Sequence, residues 1–415
     1  MPSSPSPTDQ PVTVTAEDVA AARPAAETVA RRTPLLSSRT ISERAGGVVA
    51  LKAENLQRTG SFKVRGVGAK LAALGEAGCR NGVVAASAGN HAQALAAGAR
   101  ARGVACEVFV PSDAPLAKVE AAREQGATIH VGGGSVDDCL AAARERAAEG
   151  GLAFMHPFDD PHVVAGQGSL GLELLEDVPD LARVIVPVGG GGLCAGVAIA
   201  VKSARPEVEV VGVQVAACAP YPESLRRGEP VPATSALTIA DGIAVKRPGA
   251  LTLGLLSRWA DDVVVVGEDE TAEAMVVLME RCKLVVEGAG AVGVAALLGG
   301  QVTASGAGTT VAVLSGGNVD PGLLASVARR HETEAGRRLV LLTRLADRPG
   351  NLAQLLVQVA ETGANIVDVA HVREGLDLHV RETAVELVIE TRGHDHAGAV
   401  VSSLEDAGYA TRVLH

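Results

Sequence analysis

The amino-acid sequence predicts an α/β protein, in which a two-domain parallel-sheet region is followed by a smaller ferredoxin-like domain. From residue 48 to about 330, apolar runs of four to seven residues alternate with alanine-rich helical stretches, as in β-α units on a parallel sheet. The runs are continuous in Val, Ile and Leu, as expected for strands covered by helices on both faces. After residue 336 the order changes to β-α-β-β-α-β, which is the ferredoxin-like pattern.

The predicted elements follow from these runs in chain order. Parallel strands are expected at 48–52, 83–86, 107–110, 128–131, 183–188, 208–215, 262–266 and 310–314. In the trailing domain, strands are expected at 338–345, 365–373, 383–391 and 409–414, with helices at 350–362 and 395–407.

Composition limits the class of partner. A chain of 415 residues is too long for one ordinary core, so two or three domains are expected. The net charge is -11 and the basic residues are scattered, which argues against a nucleic-acid groove or an anionic membrane surface. The six cysteines contain no C-x-x-C pair, so they are interpreted as reduced, buried thiols of a cytoplasmic protein. A small-molecule partner is therefore expected.

Two segments need separate interpretation. Residues 1–14 are rich in Ser and Pro and lack an apolar core, so they are predicted to be a disordered tail rather than a signal peptide. Residues 184–201 carry no charge over a length at which a membrane helix is suspected. Pro187 and four successive glycines interrupt this run, which favours a strand, a glycine loop and a helix start.

Lys63 is the predicted catalytic residue. It follows a strand and opens a helix, so its ammonium faces the positive end of the helix dipole, with Arg58 and Arg65 close in sequence. These three positive neighbours predict a lowered pKa for Lys63. A neutral amine is the form that attacks an aldehyde, so the setting suits a covalent catalytic lysine better than a solvated surface charge.

Two further strand-to-helix turns predict anion binding. Residues 87–91 (Ser-Ala-Gly-Asn-His) present backbone N-H groups that lack helical partners, although a plain N-cap turn explains them as well. Gly189, Gly190, Gly191 and Gly192, followed by Leu193, remove every Cβ that would separate the backbone donors from a phosphate. A flexible turn explains one glycine but not four. A dinucleotide loop also fits the spacing, but the strand at 208–215 ends without the acidic residue that a ribose requires.

The segment Asn55-Leu56-Gln57 with Gly60-Ser61-Phe62-Lys63 resembles the lysine segment of the fold type II (tryptophan-synthase-β-like) pyridoxal-phosphate enzymes, in particular the threonine dehydratase and serine racemase branch. The turn at 87–91, the glycine loop and Leu314-Ser315-Gly316-Gly317-Asn318 match further motifs of that family in order. The resemblance implies pyridoxal 5'-phosphate as cofactor. It also implies a catalytic region over 15–330, in which a small subdomain at about 55–158 is inserted into a larger one.

The resemblance also implies a role for each matching residue. Lys63 holds the cofactor and removes the Cα proton, while Phe62 stacks under the ring, although ordinary core packing is an equal alternative. Asn90 hydrogen-bonds the 3-oxygen of the ring, and Ser315 meets the pyridine nitrogen. The substrate carboxylate is gripped by the turn whose members are Ser87, Ala88, Gly89, Asn90 and His91, of which the histidine is interpreted as scaffold. The glycine loop with Leu193 binds the cofactor phosphate. Glu287 matches a family position near the cofactor, but it is given no catalytic role.

Departures from the family narrow the function. Serine racemases carry a second serine where this chain has Ala88, so racemisation is not expected. The divalent-metal site of the branch uses a glutamate at Gln214 and an aspartate near Pro220, so no metal is expected. The resemblance therefore implies deaminating dehydration of L-threonine to 2-oxobutanoate and ammonia, and also of L-serine to pyruvate, in a role that feeds isoleucine synthesis under allosteric regulation. A serine dehydratase, a catabolic threonine dehydratase and a catalytically silent effector-binding protein are the alternatives.

The trailing domain, 338–415, is similar to ACT domains at Asp347-Arg348-Pro349-Gly350-Asn351-Leu352. ACT domains bind small effectors, usually amino acids, and the resemblance implies such a site at Gly350, Asn351 and Leu352. A simple dimerisation module is the alternative. Because such a sheet leaves one face and two edges open, a homodimer or homotetramer is expected.

Overall fold

Parallel sheets account for the alternating pattern of the first 320 residues. The computed structural model describes residues 13–114, 116–373 and 378–414. Most of the predicted tail at 1–14 lies outside these residues, whereas Val14 is 2% exposed and belongs to the core. The chain divides into two units, the first ending at Asp320 and the second beginning at Pro321.

The larger sheet of the first unit has six strands in the order β1-β2-β10-β7-β8-β9. Only β1 pairs antiparallel, and the other neighbours are parallel. The strands are β1 Leu35–Ser37, β2 Val49–Lys52, β7 Leu181–Pro187, β8 Glu209–Val215, β9 Asp262–Val266 and β10 Thr309–Val313. The valine-rich central strands are almost fully buried, as their continuous apolar runs require.

The smaller sheet has four parallel strands in the order β5-β4-β3-β6. They are β3 Val83–Ala86, β4 Cys106–Val110, β5 Thr128–Val131 and β6 Ala153–Phe154.

Helices connect and cover both sheets. In chain order they are α1 Ala16–Val29, α2 Arg39–Ala45, α3 Lys63–Gly78, α4 Asn90–Ala101, α5 Leu116–Glu124, α6 Val136–Gly150, α7 Pro161–Asp177, α8 Gly192–Ala204, α9 Pro220–Arg227, α10 Ala250–Trp259, α11 Glu268–Cys282 and α12 Gly288–Leu298. Short 3-10 turns lie at Glu54–Leu56 and Asp241–Ile243. The largest core cluster lies between the six-stranded sheet and helices α1, α7 and α8.

The second unit contains a four-stranded antiparallel sheet in the order β12-β13-β11-β14. Its elements are α13 Pro321–Glu334, β11 Arg338–Ala346, α14 Asn351–Glu361, β12 Asn365–Val372, β13 Glu382–Glu390, α15 His394–Asp406 and β14 Ala410–Val413. Leucines of β11 and β13 pack with α14 and α15 into a separate small core. Helix α13 belongs to this unit, whereas the sequence analysis carried the first region to residue 330.

The predicted fold class is confirmed, and each predicted strand and helix ends within two residues of the observed bounds. Strands β1 and β6 were not predicted, because they are too short to give a periodic signal. The uncharged run at 184–201 forms the end of β7, the glycine loop and most of α8. No helix within the described ranges is long and apolar enough to cross a membrane. All six cysteines are free thiols, and five are buried.

Candidate active site

One pocket collects residues from segments that follow β2, β3, β7 and β10, at the carboxyl ends of the parallel strands. This is the edge at which open parallel sheets bind ligands. The pocket is lined by Phe62, Lys63, Asn90, Phe158, Pro187, Gly189, Gly190, Gly191, Gly192, Leu193, Gly242, Ile243, Val245, Glu287, Ala289 and Ser315. All residues predicted to contact the cofactor are therefore brought together.

Lys63 is the first residue of α3, as its position after the strand predicted. Its Nζ donates a hydrogen bond to the Pro157 carbonyl at 3.0 Å and lies 5.1 Å from the centre of the Phe62 ring. Burial lowers the pKa of Lys63 to about 8, against an opposing attraction from the Glu287 carboxylate. A lysine with this pKa supplies neutral amine near neutrality, as a nucleophile or base requires.

The lowered pKa agrees with the prediction, but the predicted contribution of the two arginines is wrong. Burial lowers the pKa, and neither Arg58 nor Arg65 contributes noticeably. Arg65 points away into a closed ion cluster, where its guanidinium bonds Glu54 at 2.8 Å and Glu173 at 2.7 Å. Lys52 completes the cluster through Glu173 at 2.6 Å. Lys52 also lies 3.5 Å from Asp177, so the positive charge of Arg65 is balanced by carboxylates and has little effect on Lys63.

The turn at 87–91 contributes one side chain to the pocket lining, that of Asn90. The Ser87 hydroxyl accepts a hydrogen bond from the Gly89 N-H at 3.2 Å, so this donor is already used inside the turn. Ala88 packs against the core of the small sheet. The His91 ring bonds the Met155 carbonyl at 3.0 Å, and burial lowers the pKa of His91 to about 3, so its ring is neutral at pH 7.

Asn90 is held from both sides by side chains. Its Nδ2 donates to Glu287 Oε1 at 2.7 Å, and its Oδ1 accepts from Asn318 Nδ2 at 2.7 Å. Burial, with the neighbouring Asp241, raises the pKa of Glu287 to about 7, while the hydrogen bond from Asn90 opposes that rise. Glu287 lies at the N-cap of α12, and its side chain is among the pocket-lining groups.

The glycine loop joins β7 to α8 and has room for no side chain. Gly191 has φ +89°, in the left-handed region, and a Cβ there would overlap the Tyr221 hydroxyl. A Cβ on Gly190 would overlap the Phe158 ring. The first N-H groups of α8 lack helical carbonyl partners, so they form an anion site at the positive end of the helix dipole.

Buried polar groups fix the loop from behind. The Tyr221 hydroxyl donates to the Gly190 carbonyl at 2.9 Å and lies 3.1 Å from the Thr252 hydroxyl. Gln214 donates to the Val188 carbonyl at 3.1 Å and accepts from the Tyr221 N-H at 2.9 Å. The loop carbonyls are thereby occupied on the side away from the pocket.

Ser315 follows β10 and is 3% exposed, with its Oγ 3.5 Å from the Ala289 carbonyl. Its backbone carbonyl accepts from the Phe62 N-H at 3.1 Å, which ties this turn to the lysine segment. Ser315 and Lys63 therefore line the same pocket although 252 positions separate them (315 − 63).

Sequence reasoning missed several lining residues, namely Pro187, Gly242, Ile243, Val245, Ala289 and Phe158. Residues 242–245 sit in a long loop with no periodic signal, so only tertiary packing reveals them. Phe158 is one of four phenylalanines in a chain poor in aromatic residues, and that scarcity was the available signal.

The pocket fits pyridoxal phosphate. A glycine cradle that side chains would fill, a partly buried lysine amine and an amide in the same pocket match the phosphate, the aldehyde and a ring oxygen of that cofactor. The fold and this pocket define a pyridoxal-phosphate-dependent enzyme built on parallel sheets.

Comparison with known proteins gives the family. The model of the pyridoxal-phosphate dependent enzyme family matches residues 26–316, and the chain belongs to this family. The chain is 43% identical over 401 residues to the L-threonine ammonia-lyase of Thermotoga maritima, covering 97% of this chain and 100% of that protein. It is 44% identical over 290 residues to the catabolic L-threonine dehydratase TdcB of Escherichia coli K12, covering 70% and 88%.

Among solved structures, maize serine racemase superposes with a TM-score of 0.73 at 32% identity, covering 78% of this chain and 99% of that chain. The predicted family is confirmed.

The glycine loop leads to a first prediction. Replacing Gly191 with alanine introduces an overlap with Tyr221 in addition to left-handed strain of about 1 to 2 kcal/mol. We expect the dissociation constant of pyridoxal phosphate, measured by absorbance titration of the apoprotein, to rise more than about tenfold.

Gly228→Ala is the matched control, because Gly228 has φ +73° with nothing within 4 Å of its added Cβ. It carries the backbone strain without the overlap, so its cofactor affinity should match the wild type. Equal losses in both variants would show that backbone strain, and not the shape of the loop, controls binding.

Proposed function

We propose that this chain is an L-threonine ammonia-lyase, which converts L-threonine to 2-oxobutanoate and ammonia and also acts on L-serine to give pyruvate. The observation that carries the proposal is the pocket itself, where the Lys63 amine shares one wall with Asn90, the glycine loop and Ser315. The match to an L-threonine ammonia-lyase over 97% of this chain supports the choice of substrate.

Each residue of the pocket has a separate role in the proposed reaction. Bound pyridoxal phosphate supplies an electron sink that makes the Cα proton of an attached amino acid acidic. Lys63 holds the cofactor at rest and, once displaced by substrate, accepts that proton at Nζ. The loop at 189–193 binds the phosphate, Asn90 meets the ring 3-oxygen and Ser315 meets the ring nitrogen. The turn at 87–91 holds the substrate carboxylate, with His91 as its support, and Phe62 seats the lysine and the ring.

A neutral serine hydroxyl cannot stabilise a protonated ring nitrogen as a carboxylate would. A ring nitrogen held by Ser315 alone would suit rapid loss of the β-hydroxyl of the substrate. Ala88 has no hydroxyl, so the base that serine racemases carry at this position is missing. Gln214 has both ends of its amide occupied by Val188 and Tyr221, and no divalent metal is needed.

The test is to incubate the purified holoenzyme with L-threonine and follow 2-oxobutanoate and ammonium in equal amounts. L-Serine should give pyruvate, and chiral chromatography should find no D-serine. Activity should survive chelation of divalent metals. If the holoenzyme forms neither oxo acid, the hypothesis of a catalytically silent effector-binding protein is favoured instead. Appreciable D-serine would favour a racemase.

Residues 338–415 form the effector-binding part in this proposal. Gly350 has φ +92° and caps α14, where the Asn351 N-H bonds the Arg348 carbonyl at 3.3 Å and the Leu352 N-H opens the helix. Such a helix start suits an amino-acid carboxylate. The relative matched over 97% of this chain extends through this part, whereas the catabolic dehydratase matches over only 70% of it. That contrast supports a biosynthetic role in isoleucine supply, with subunits associating as dimers or tetramers through the open sheet edges.

We therefore expect L-isoleucine to change the threonine concentration at half-saturation by about 5- to 150-fold, the range of ordinary allosteric coupling. Initial-rate curves with and without isoleucine, valine and nucleotides are the measurement, with calorimetry for binding. If none of these compounds binds or shifts the curve, the domain is a dimerisation module.

A further inference from the structure

A chain of hydrogen bonds runs along one wall of the pocket, from the lysine segment to the start of α12. Asn318 Nδ2 donates to the Thr59 carbonyl at 2.8 Å and to Asn90 Oδ1 at 2.7 Å. Asn90 Nδ2 then donates to Glu287 Oε1 at 2.7 Å. This series of hydrogen bonds therefore joins four segments that are far apart in sequence.

Its direction is fixed by its two ends. The Thr59 carbonyl can only accept hydrogen bonds, and the Glu287 carboxyl does the same in its ionised form, so each end then takes an N-H donor. Asn318 must turn its amide nitrogen to Thr59, and the same nitrogen then faces the Asn90 oxygen. Asn90 in turn presents its nitrogen to Glu287. Reversing either amide would place two oxygens against each other.

Two glycines leave room for the side chains of this hydrogen-bond series. A Cβ on Gly60 would overlap the Asn318 amide oxygen, and a Cβ on Gly316 would overlap the Glu287 carboxylate. The Asn318 backbone N-H also bonds the Glu287 side chain. Glu287 is 3% exposed, so the carboxylate that anchors the chain is shielded from water.

We propose that Asn318 and Glu287 are positioning residues that orient the Asn90 amide with a donor directed to the cofactor ring. Glu287 takes one hydrogen of Asn90 Nδ2, and the second remains for an oxygen acceptor in the pocket. The inference rests on the proposed role of Asn90 toward the ring 3-oxygen. Neither residue touches reacting atoms in this role, and both act through Asn90.

Asn318→Asp is the direct test, because aspartate keeps the size of the side chain and removes both N-H donors. The Asn90 amide should then reverse toward the new carboxylate. We expect the dissociation constant of pyridoxal phosphate to rise about tenfold or more and the visible band of the bound cofactor to shift in wavelength. Asn90→Ala should change both quantities in the same direction.

Adding Glu287→Gln to Asn318→Asp distinguishes the orientation of the Asn90 amide from a general loss of stability. A glutamine can donate to the reversed Asn90 oxygen, so the double variant should recover part of the melting temperature that Asn318→Asp loses. Because Asn90 stays reversed, cofactor affinity and the visible band should not recover. Recovery of all three quantities would overturn the proposal, as would wild-type affinity and band in Asn318→Asp alone.

Asn55→Asp is the matched control, since the Asn55 amide also donates to a backbone carbonyl, that of Val285 at 3.1 Å, without contacting Asn90. It should lower stability and leave the cofactor band unchanged. If Asn90→Ala itself leaves affinity and band unchanged, the fault lies in the assigned role of Asn90 and not in its positioning. A protein that forms no visible band at all would instead count against the proposed function.

Discussion

Replacing Lys63 with alanine should abolish turnover of L-threonine and remove the visible absorbance of covalently held cofactor. Lys63 Nζ is the amine that the pocket encloses, and its pKa of about 8 keeps a usable neutral fraction at physiological pH. Steady-state rates and absorbance spectra are the measurements, and circular dichroism should show an unchanged fold. Loss of both the nucleophile and the proton acceptor makes this the largest effect on activity.

Lys202→Ala is the control, because Lys202 pairs with Asp261 at 2.8 Å and does not line the pocket. This variant should keep both the band and the rate. After borohydride reduction, peptide mass spectrometry should find the cofactor on Lys63 of the wild type. Cofactor attached to another lysine in Lys63→Ala would contradict the assignment.

The same pKa fixes the pH dependence of cofactor capture. Below pH 8 the neutral fraction of Lys63 falls about tenfold per pH unit, and above pH 8 it approaches one. The rate of covalent capture by the apoprotein should therefore rise with pH and level off above about 8. A rise continuing to pH 10 would indicate an ordinary solvated lysine.

Replacing Arg65 with methionine should lower the free energy of unfolding by about 3 to 5 kcal/mol. Arg65, Glu54 and Glu173 are each no more than 2% exposed, so removing the guanidinium leaves carboxylates buried without their partner. Burial alone would raise the pKa of Glu54, but Arg65 holds it below its usual value. Urea denaturation of the apoprotein is the measurement.

Arg65→Met combined with Glu54→Gln should recover part of this loss, because Lys52 and Glu173 then remain as a neutral pair. Arg226→Ala removes an exposed ion pair with Glu223 and should change stability little. If Arg65→Met is no more costly than Arg226→Ala, the buried cluster does not stabilise the lysine helix.

Arg58 and Arg65 were predicted to lower the pKa of Lys63 because they are close to it in sequence. Closeness in sequence is a poor guide to which charges lie close in space. A side chain two positions along a helix points to a different side, and Arg65 does so into its own carboxylates. The predicted direction of the Lys63 pKa shift was correct because the helix start lies in an enclosed pocket, where burial also lowers the pKa. Burial itself could not be read from the local sequence.

Local sequence by itself determined the parallel strands other than β6, the glycine loop, the lysine at a helix start and the β-α-β-β-α-β order. Each depends on interactions within a few residues or on the repeat of apolar positions. The tertiary structure alone decided which turns face one pocket, that Phe158 and residues 242–245 line it, and that Glu287 and Asn318 hold Asn90. The contacts of Asn90 join residues 197 and 228 positions apart, and no local pattern encodes which distant side chains a folded sheet brings within hydrogen-bonding distance.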